Sequence, residues 1–305
     1  MRLLITKRHI QIYDEVIKMK FDDNSKTRIS YILPTFNRAN YLDDALKRFR
    51  EIKTPNDELI IIDGKSSDNT DTVIDKNKDI IDVFISEIDL SEGHAYNKGI
   101  LLASGKYIKP ITDDDIFYSE ALERAYEILE NNPDLDILLA GGIRNNNGIE
   151  KPVYLSPGSN YGSNIGDVFK YGGCGLGLLF RRIILAKINL FNINAVGLDT
   201  DFITQAINGG ATLKFCRLKM FYHPIEEHSG TVARNNEWKL DQDKIRKRYG
   251  YDPIYNKERT VIEKLKSHLI FKKINRVMFH LFRKNKAVEE KNIEDIEIIW
   301  DGGFS

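Results

Sequence analysis

Three adjacent aspartates, Asp113, Asp114 and Asp115, directly follow the mostly apolar run YIKPI and Thr112. Neighbouring carboxylates repel one another, so such a triplet needs a cation or several N–H donors close by. Carboxylates at a strand end offer the oxygen ligands that Mg²⁺ and Mn²⁺ prefer, and they leave positions open for phosphate oxygens. The triplet therefore predicts a divalent metal site, with capping of a helix N-terminus as the alternative role.

Other residues capable of chemistry lie elsewhere in the chain. Asp63 ends the apolar run ELIIID, and Asp199 and Asp201 stand two residues apart in LDTDF. For Asp201 the pattern favours helix capping, whereas Asp199 becomes a catalytic candidate if the fold brings it to the other carboxylates. His223 and His228 are candidate metal ligands, although a single histidine is more often a surface or packed residue.

The elements that must position these residues alternate between strands and helices. Short β-branched runs at 29–33, 58–63, 81–86 and 106–111 indicate strands, and helical patterns separate them. This alternation predicts an α/β fold with a mostly parallel sheet covered on both faces. We expect Asn40 to cap the first helix, Ser67 or Asp68 the second, and Ser119 the helix after the triplet.

Polar loops follow three of these strands, at residues 34–38, 63–68 and 112–115. In such sheets the ligand lies at the carboxyl ends of the strands, so the three loops are expected to form one site. The second half is less regular, with a strand at 135–141, a hairpin signal in RNNNGIE, a Gly-rich segment at 171–182, a helix from about 199 and a strand at 211–223.

Several of these motifs together carry a resemblance. They are Pro34-Thr35-Phe36-Asn37-Arg38, Ile62-Asp63-Gly64, Ser86-Glu87, Ala95-x-Asn97-Lys98-Gly99-Ile100, Ala103-x-Gly105-x-Tyr107-Ile108 and the aspartate triplet. In this order and spacing they resemble the donor half of the family-2 glycosyltransferases, which have the GT-A fold. The resemblance is strong over 29–118, and weaker matches at 171–182 and 198–202 extend it to about 230.

The resemblance implies an inverting transferase that moves a sugar from a nucleoside diphosphate, with a UDP-sugar favoured, to a glycan or lipid-linked acceptor in polysaccharide biosynthesis. It implies a divalent metal, Mn or Mg, on the triplet. The implied roles are donor binding for Pro34, Thr35, Phe36, Arg38, Asp63 (nucleobase), Asn97, Lys98 and Asp113 (ribose), metal binding for Asp114, Asp115 and His228, and general base for Asp199.

The sequence departs from the family pattern at three positions. Thr112 replaces the first aspartate of the usual D-x-D motif, Leu198 replaces the glutamate before the base, and Tyr96 stands where many members have arginine. Since no Q-x-x-R-W motif follows, a processive polysaccharide synthase is not expected.

Composition limits the function class and the location. The 305 residues carry 45 basic and 45 acidic side chains, so no net charge marks the chain as a nucleic-acid binder. Two cysteines without metal spacing suit a reducing compartment, and the chain has no apolar run of about 18 residues. We therefore predict a cytoplasmic protein that does not span the membrane.

We divide the chain into an N-terminal extension (1–28), a GT-A catalytic domain (29–230) and a C-terminal helical region (231–305). The catalytic domain comprises a donor half (29–118) and an acceptor half (119–230). Residues 258–286 have a basic amphipathic helical pattern. The pattern slightly favours a helix docked on the domain over peripheral attachment to an anionic membrane at its inner face.

Two other functions remain open from the sequence. A sugar-phosphate nucleotidyltransferase also combines an α/β sheet with a metal-binding aspartate, but its usual Gly-rich basic loop is missing from PTFNRAN. A non-catalytic module would bind a nucleotide sugar without turnover.

Overall fold

The first half of the chain forms a parallel sheet, as its hydrophobic runs predict. The computed structural model describes residues 25–153, 164–171, 173–225 and 234–255. Its first four strands are β1 (Ile29–Thr35), β2 (Glu58–Asp63), β3 (Val83–Ser86) and β4 (Tyr107–Pro110). They lie in the order β3-β2-β1-β4, and the register places Thr35 beside Asp63 and Asp63 beside Ser86. The carboxyl ends of β1, β2 and β3 are therefore level.

Helices cover both faces of this sheet. The connecting helices are α1 (Ala39–Phe49), α2 (Thr70–Asn77) and α3 (Glu92–Leu102). Tyr31 and Leu33 of β1 belong to the core under α1 and α2, whereas Ile32 belongs to the core on the other face, under α3. A Cβ on Gly99 would lie 2.3 Å from Ile32 Cγ2, so α3 packs directly on β1 only because residue 99 is glycine.

The second half extends the sheet with mixed strand directions. Its elements are β5 (Ile116–Phe117), α4 (Ser119–Glu130), β6 (Ile137–Asn146), β7 (Ile149–Val153), α5 (Ile165–Tyr171), β8 (Leu178–Arg181), α6 (Leu198–Asn208), β9 (Leu213–Ile225) and α7 (Asn235–Arg248). Across the described residues the strand order is β3-β2-β1-β4-β8-β6-β9-β5, with β7 beside β6. β8 runs antiparallel to both β4 and β6, so the run of parallel strands that starts at β3 ends at β4, and β6 and β9 form a further parallel pair.

The three predicted helix caps do not occupy their cap positions. Asn40 lies inside α1, whose cap position is Arg38, and the Ala39 amide donates instead to Asp68 Oδ2 at 2.9 Å. Ser119 is the first residue of α4, and the cap position is occupied by Tyr118, which makes no side-chain capping hydrogen bond. Asn69, not the predicted Ser67 or Asp68, occupies the cap position of α2. Asp68 nevertheless accepts the Thr70 amide at 3.1 Å, so this carboxylate serves the first turns of both α1 and α2.

The predicted β6–β7 hairpin is confirmed. Asn147 (φ 51°) and Gly148 (φ 86°) adopt the left-handed conformation that a two-residue turn between these strands requires. Asn and Gly reach this region at low cost, which is why NNNG predicted the turn.

Helix α7, in the predicted C-terminal region, packs on the catalytic domain. Arg248 forms an ion pair with Asp201 of α6, and Asp241 Oδ2 accepts the Val196 and Gly197 amides at 2.9 and 3.0 Å. The domain boundaries stay predictions. Residues 1–24 and the amphipathic segment 258–286 lie outside the described residues. Within the described ranges, no helix combines the length and apolar character needed to cross a membrane.

Candidate active site

The loop after β1 and the aspartate triplet meet at one edge of the sheet. Thr35 Oγ1 donates to Asp113 Oδ2 at 2.9 Å. Arg38 reaches two carboxylates at once, with Nε 2.8 Å from Asp113 Oδ1 and Nη2 2.7 Å from Asp114 Oδ2. Its guanidinium also stacks on the Tyr41 ring at 4.3 Å. Asn37, at φ 53°, makes the turn that points Arg38 back toward the triplet.

Burial and mutual repulsion raise the pKa values of two members of the triplet. Burial raises the pKa of Asp113 to about 6, and repulsion from Asp114 adds to this although Arg38 opposes it. Burial and the neighbouring Asp115 likewise raise the pKa of Asp114, against the pull of Arg38 and His223. One guanidinium thus leaves the carboxylates incompletely compensated.

Asp115 is held separately by β9. Ile116 of β5 pairs with Tyr222 of β9 in antiparallel register, which places His223 opposite Asp115. His223 Nδ1 lies 2.6 Å from Asp115 Oδ1, and the Thr112 hydroxyl donates to the other carboxylate oxygen. Asp115 is therefore fixed between two partners and is nearly inaccessible to solvent.

Asp63 lies in a second polar pocket at the end of β2. Its carboxylate accepts the Ser66 amide at 3.1 Å and the Ser86 hydroxyl at 2.6 Å. Lys65 has φ 69°, which closes the turn around the carboxylate. Beside it, the Phe36 ring packs on Gly64, where a Cβ would lie 3.2 Å from Phe36 Cδ2. Phe36 nevertheless remains 57% exposed.

The remaining predicted donor-binding residues contact protein groups. Pro34 is the sixth residue of β1, next to the loop. Asn97 is buried, and its amide both donates to Phe191 O at 2.8 Å and accepts Phe191 N–H at 2.9 Å. Lys98 Nζ lies 2.8 Å from carboxylate oxygens of both Glu87 and Asp89. These two residues fix the walls of the cleft around the loop after β3.

Asp199 lies in the first turn of α6. Its carboxylate accepts the amide of the next residue, Thr200, at 2.7 Å and the Gly175 amide at 3.2 Å. Burial raises its pKa, while these two N–H groups act in the opposite direction. Asp201, two residues later, points to Arg248 instead. The structure therefore separates the contacts of these two aspartates, and Asp201, which the sequence predicts as a helix cap, is the fourth residue of α6 and pairs with Arg248.

Glu92 is a cleft residue that sequence reasoning missed. It begins α3, and the next residue, Gly93, packs so closely that a Cβ there would lie 2.8 Å from Leu198 Cδ2 of α6. Although Glu92 is accessible to solvent, the surrounding cleft desolvates it, and repulsion from Asp199, then from Asp114, raises its pKa to about 7. The contact of Gly93 with Leu198 places Glu92 next to the first turn of α6, and the influence of both Asp199 and Asp114 on its pKa agrees with one shared cleft.

One carboxylate of this cleft, that of Asp114, is open to a divalent cation. In the described part of the chain, no group of three or more His, Cys, Asp or Glu side chains could hold a metal ion. Asp114 has the most accessible carboxylate of the triplet, at 22% side-chain exposure against 6% for Asp113 and 2% for Asp115. A cation here would bind Asp114 and take its other oxygens from a ligand or water. His228 lies outside the described residues.

Comparison with known sequences identifies relatives of this chain. The family model described as "Glycosyl transferase family 2" matches residues 30–188. Poly(ribitol-phosphate) beta-N-acetylglucosaminyltransferase TarP of Staphylococcus aureus (strain N315) is 26% identical over 294 residues, 91% of this chain and 87% of that protein.

Other curated relatives match over a shorter region. An uncharacterized glycosyltransferase of Rickettsia typhi is 27% identical over 172 residues, 54% of this chain and 53% of that protein. Poly-beta-1,6-N-acetyl-D-glucosamine synthase of Staphylococcus epidermidis is 25% identical over 223 residues, 70% of this chain and 52% of that protein. The chain thus spans about half the length of these two relatives.

Solved structures show the same fold. S. aureus TarS in complex with UDP-GlcNAc superimposes with a TM-score of 0.60 at 17% identity, over 72% of this chain and 65% of that chain. The mannosyltransferase PcManGT from Pyrobaculum calidifontis, in complex with GDP-Man and Mn²⁺, gives 0.57 at 15% identity, over 80% and 73%. At these identities the likeness shows the fold alone, and it confirms the predicted GT-A architecture.

Proposed function

This chain belongs to glycosyl transferase family 2, and we propose that it transfers a sugar from a nucleoside diphosphate to a hydroxyl of a glycan or lipid-linked acceptor, inverting the anomeric carbon. One observation carries the proposal. The aspartate triplet and Asp199 lie on different elements but in one acidic cleft, where Glu92 experiences the charge of both. A displacement with inversion needs such an arrangement, with one group at the leaving diphosphate and another at the attacking hydroxyl.

The residues around β1 and β2 suit the nucleoside end of the donor. The exposed ring of Phe36 can stack on a nucleobase, and Asp63 can accept a hydrogen bond from its edge. We assign Asp113 to the ribose hydroxyls, since Arg38 and Thr35 fix its carboxylate beside this pocket. Asn97 and Lys98 support the donor site indirectly, because their polar atoms contact Phe191, Glu87 and Asp89.

Asp114 is the residue that would hold Mn²⁺ or Mg²⁺, with Asp115 and His223 orienting the loop behind it. Bound there, the cation supplies Lewis-acid stabilisation of the charge on the departing diphosphate. Arg38 adds a fixed positive charge at the same place.

Asp199 is assigned as the general base. The acceptor oxygen forms a bond to the anomeric carbon as its proton passes to the Asp199 carboxylate. The bond from the anomeric carbon to the diphosphate oxygen breaks on the opposite face, and its electron pair leaves with the nucleotide. Burial raises the pKa of Asp199 above the ordinary carboxyl value, which makes its carboxylate a stronger base.

UDP-GlcNAc is the donor to test first. TarS was solved with UDP-GlcNAc, and the names of TarP and the poly-beta-1,6-N-acetyl-D-glucosamine synthase both specify N-acetylglucosamine chemistry. The names of these two relatives also support a polymer as the acceptor. The family match favours transfer over the nucleotidyltransferase alternative. Cytoplasmic location and membrane attachment through residues 258–286 stay predictions.

The proposal is tested with purified protein, a panel of UDP-, GDP- and dTDP-sugars, and Mn²⁺, Mg²⁺ or chelator. Release of the nucleoside diphosphate is measured with and without oligosaccharide acceptors, and donor binding is measured by thermal shift. Asp114→Asn should abolish the metal-dependent thermal shift and turnover. Asp199→Asn should keep the thermal shift and lose transfer.

The matched control is Asp201→Asn, on the same helix as Asp199 but paired with Arg248. It should lower stability and leave the turnover of the folded enzyme near that of wild type. Near-normal turnover in Asp114→Asn would reject the metal assignment. Metal-dependent nucleotide binding without turnover by the wild type would instead support the non-catalytic module.

A further inference from the structure

A buried ammonium lies beneath the cleft, on a residue for which the proposed reaction has no use. Lys109, the third residue of β4, is 0% exposed. Its Nζ donates to Pro110 O at 2.9 Å and Leu176 O at 2.6 Å, and it lies 4.7 Å from the centre of the Phe117 ring. Among the described residues no carboxylate forms an ion pair with it. Burial lowers the pKa of Lys109 to about 7, although the nearby Cys174 and Asp115 act to raise it.

Burying an unpaired ammonium costs folding free energy, so contacts elsewhere must offset it. An apolar side chain of similar length would fill the same volume without that cost. The ammonium has three N–H donors, and it faces two carbonyls and an aromatic ring. A methionine at this position would leave both carbonyls without this donor. The significant partner is Leu176, because it lies 67 residues away on a different element.

Leu176 is the central residue of the 3-10 turn Gly175–Gly177. The turn is wedged against β6, where a Cβ on Gly177 would lie 1.9 Å from the Ala140 carbonyl oxygen. The Gly175 amide, in the same turn, donates to Asp199 Oδ2 at 3.2 Å. One short turn therefore contacts Lys109 through a carbonyl and Asp199 through the adjacent amide.

Lys109 also lies on the strand that leads into the aspartate triplet. Residues Pro110, Ile111 and Thr112 separate it from Asp113, and Phe117, against which it packs, follows the triplet in β5. We propose that Lys109 is a positioning residue that fixes the Gly175–Gly177 turn, and through the Gly175 amide the Asp199 carboxylate, relative to the strand carrying the triplet. The proposal rests on the proposed function, because it gives Asp199 the role of base.

The inference predicts a separation of kinetic parameters. Lys109→Met removes the bond to Leu176 O while keeping chain length and apolar volume. Asp199 then loses its fixed distance from the donor, so kcat for transfer should fall about tenfold or more. The donor KM should stay within about twofold, because the nucleotide-binding residues on β1 and β2 are untouched.

Arg181→Met is the matched control. Arg181 is also a buried cation that donates to backbone carbonyls, with Nε 2.8 Å from Leu135 O. It pairs with Tyr107 at the start of β4, whereas Lys109 lies near the end that enters the cleft. Loss of stability alone would affect both variants, but loss of Asp199 positioning should affect kcat only in Lys109→Met.

Amide hydrogen exchange tests the same link without any substrate. Residues 173–178 should exchange faster in Lys109→Met and at the wild-type rate in Arg181→Met. Lys109→Gln serves as the second variant if Lys109→Met does not fold. Its amide nitrogen is one atom short of Nζ, so both effects should be intermediate.

Wild-type exchange at 173–178 in Lys109→Met, or an unchanged kcat in a folded variant, would overturn the inference. If the wild type turned over no nucleotide sugar, the proposed function would fail. The exchange result would still decide whether Lys109 holds the turn.

Discussion

Replacing Asp113 by Asn tests whether the acidic cleft is electrostatically strained in the absence of a cation. Asn keeps the shape of the side chain: its Oδ1 can accept from Arg38 Nε, and its Nδ2 can donate to Thr35 Oγ1, which then accepts instead of donating. What changes is the charge, which burial and Asp114 disfavour. The neutral variant should therefore be more stable than wild type wherever the wild-type carboxylate is ionised.

The magnitude follows from the pKa of Asp113, which is raised from 3.8 to about 6. A shift of about two pKa units corresponds to about 3 kcal/mol of folding free energy at 1.36 kcal/mol per unit. Because the native pKa lies above the unfolded value, this contribution is fully present below about pH 4 and is lost as the pH rises through about 6. The opposing effect of Arg38 is already contained in the shift.

Urea unfolding in chelator, at intervals from pH 4 to pH 8, measures the effect. The free energy of unfolding of Asp113→Asn minus that of wild type should rise by about 3 kcal/mol between these limits. Saturating Mn²⁺ with nucleoside diphosphate should reduce the difference at pH 8, since the cation offsets the carboxylate repulsion. A difference that does not vary with pH would refute the account of the strained triplet.

Four further substitutions probe the rest of the cleft. Gly177→Ala forces a Cβ against a backbone carbonyl of β6 and should lower the free energy of unfolding in urea by about 3 kcal/mol. Gly175→Ala is the control: its Cβ has its nearest contact at 3.4 Å, and it should lower that free energy by about 1 kcal/mol or less. Equal losses would contradict the geometry. Glu92→Gln removes a carboxyl group whose pKa is raised to about 7, so only in more alkaline solution does it remove a negative charge that attracts the cation. The ratio of variant to wild-type Mn²⁺ affinity should therefore fall from pH 6 to pH 8, and a constant ratio would show that Glu92 does not act on the triplet. His223→Asn removes a partner of the triplet loop and should weaken Mn²⁺ binding about tenfold by thermal-shift titration, and unchanged affinity would show that the contact has no effect on the metal.

The donor half of the fold could be predicted because its information is local. Each buried strand is a continuous apolar run, and each following loop begins where that run ends, as at Thr35 and Asp63. Parallel strands with level ends then bring the loops together without any knowledge of side-chain contacts. The failed caps show the limit of this reasoning, because the first turn of α1 is capped by Asp68, 29 residues away.

The acceptor side depends on contacts that no local pattern contains. His223 reaches Asp115 through the β5–β9 register across 108 residues, and β5 is only two residues long. Asn97 resembled a donor-binding residue by its motif, but its amide matches the backbone of Phe191, 94 residues later. Glu92 carried no signal beyond its place at the start of a helix. The His223 contact depends on the antiparallel β5–β9 pair, and the Asn97 contact on the segment between β8 and α6.

Thr112 shows how the triplet can work without the first aspartate of the family motif. Its hydroxyl donates to Asp115, which a carboxylate at this position would repel. Asp113 is held by its own partners, and Asp115 is closed to solvent. Asp114 keeps the greatest accessibility of the three. Thr112 therefore removes a repulsion from the triplet, which has two members fixed by protein partners and one, Asp114, with the greatest exposure.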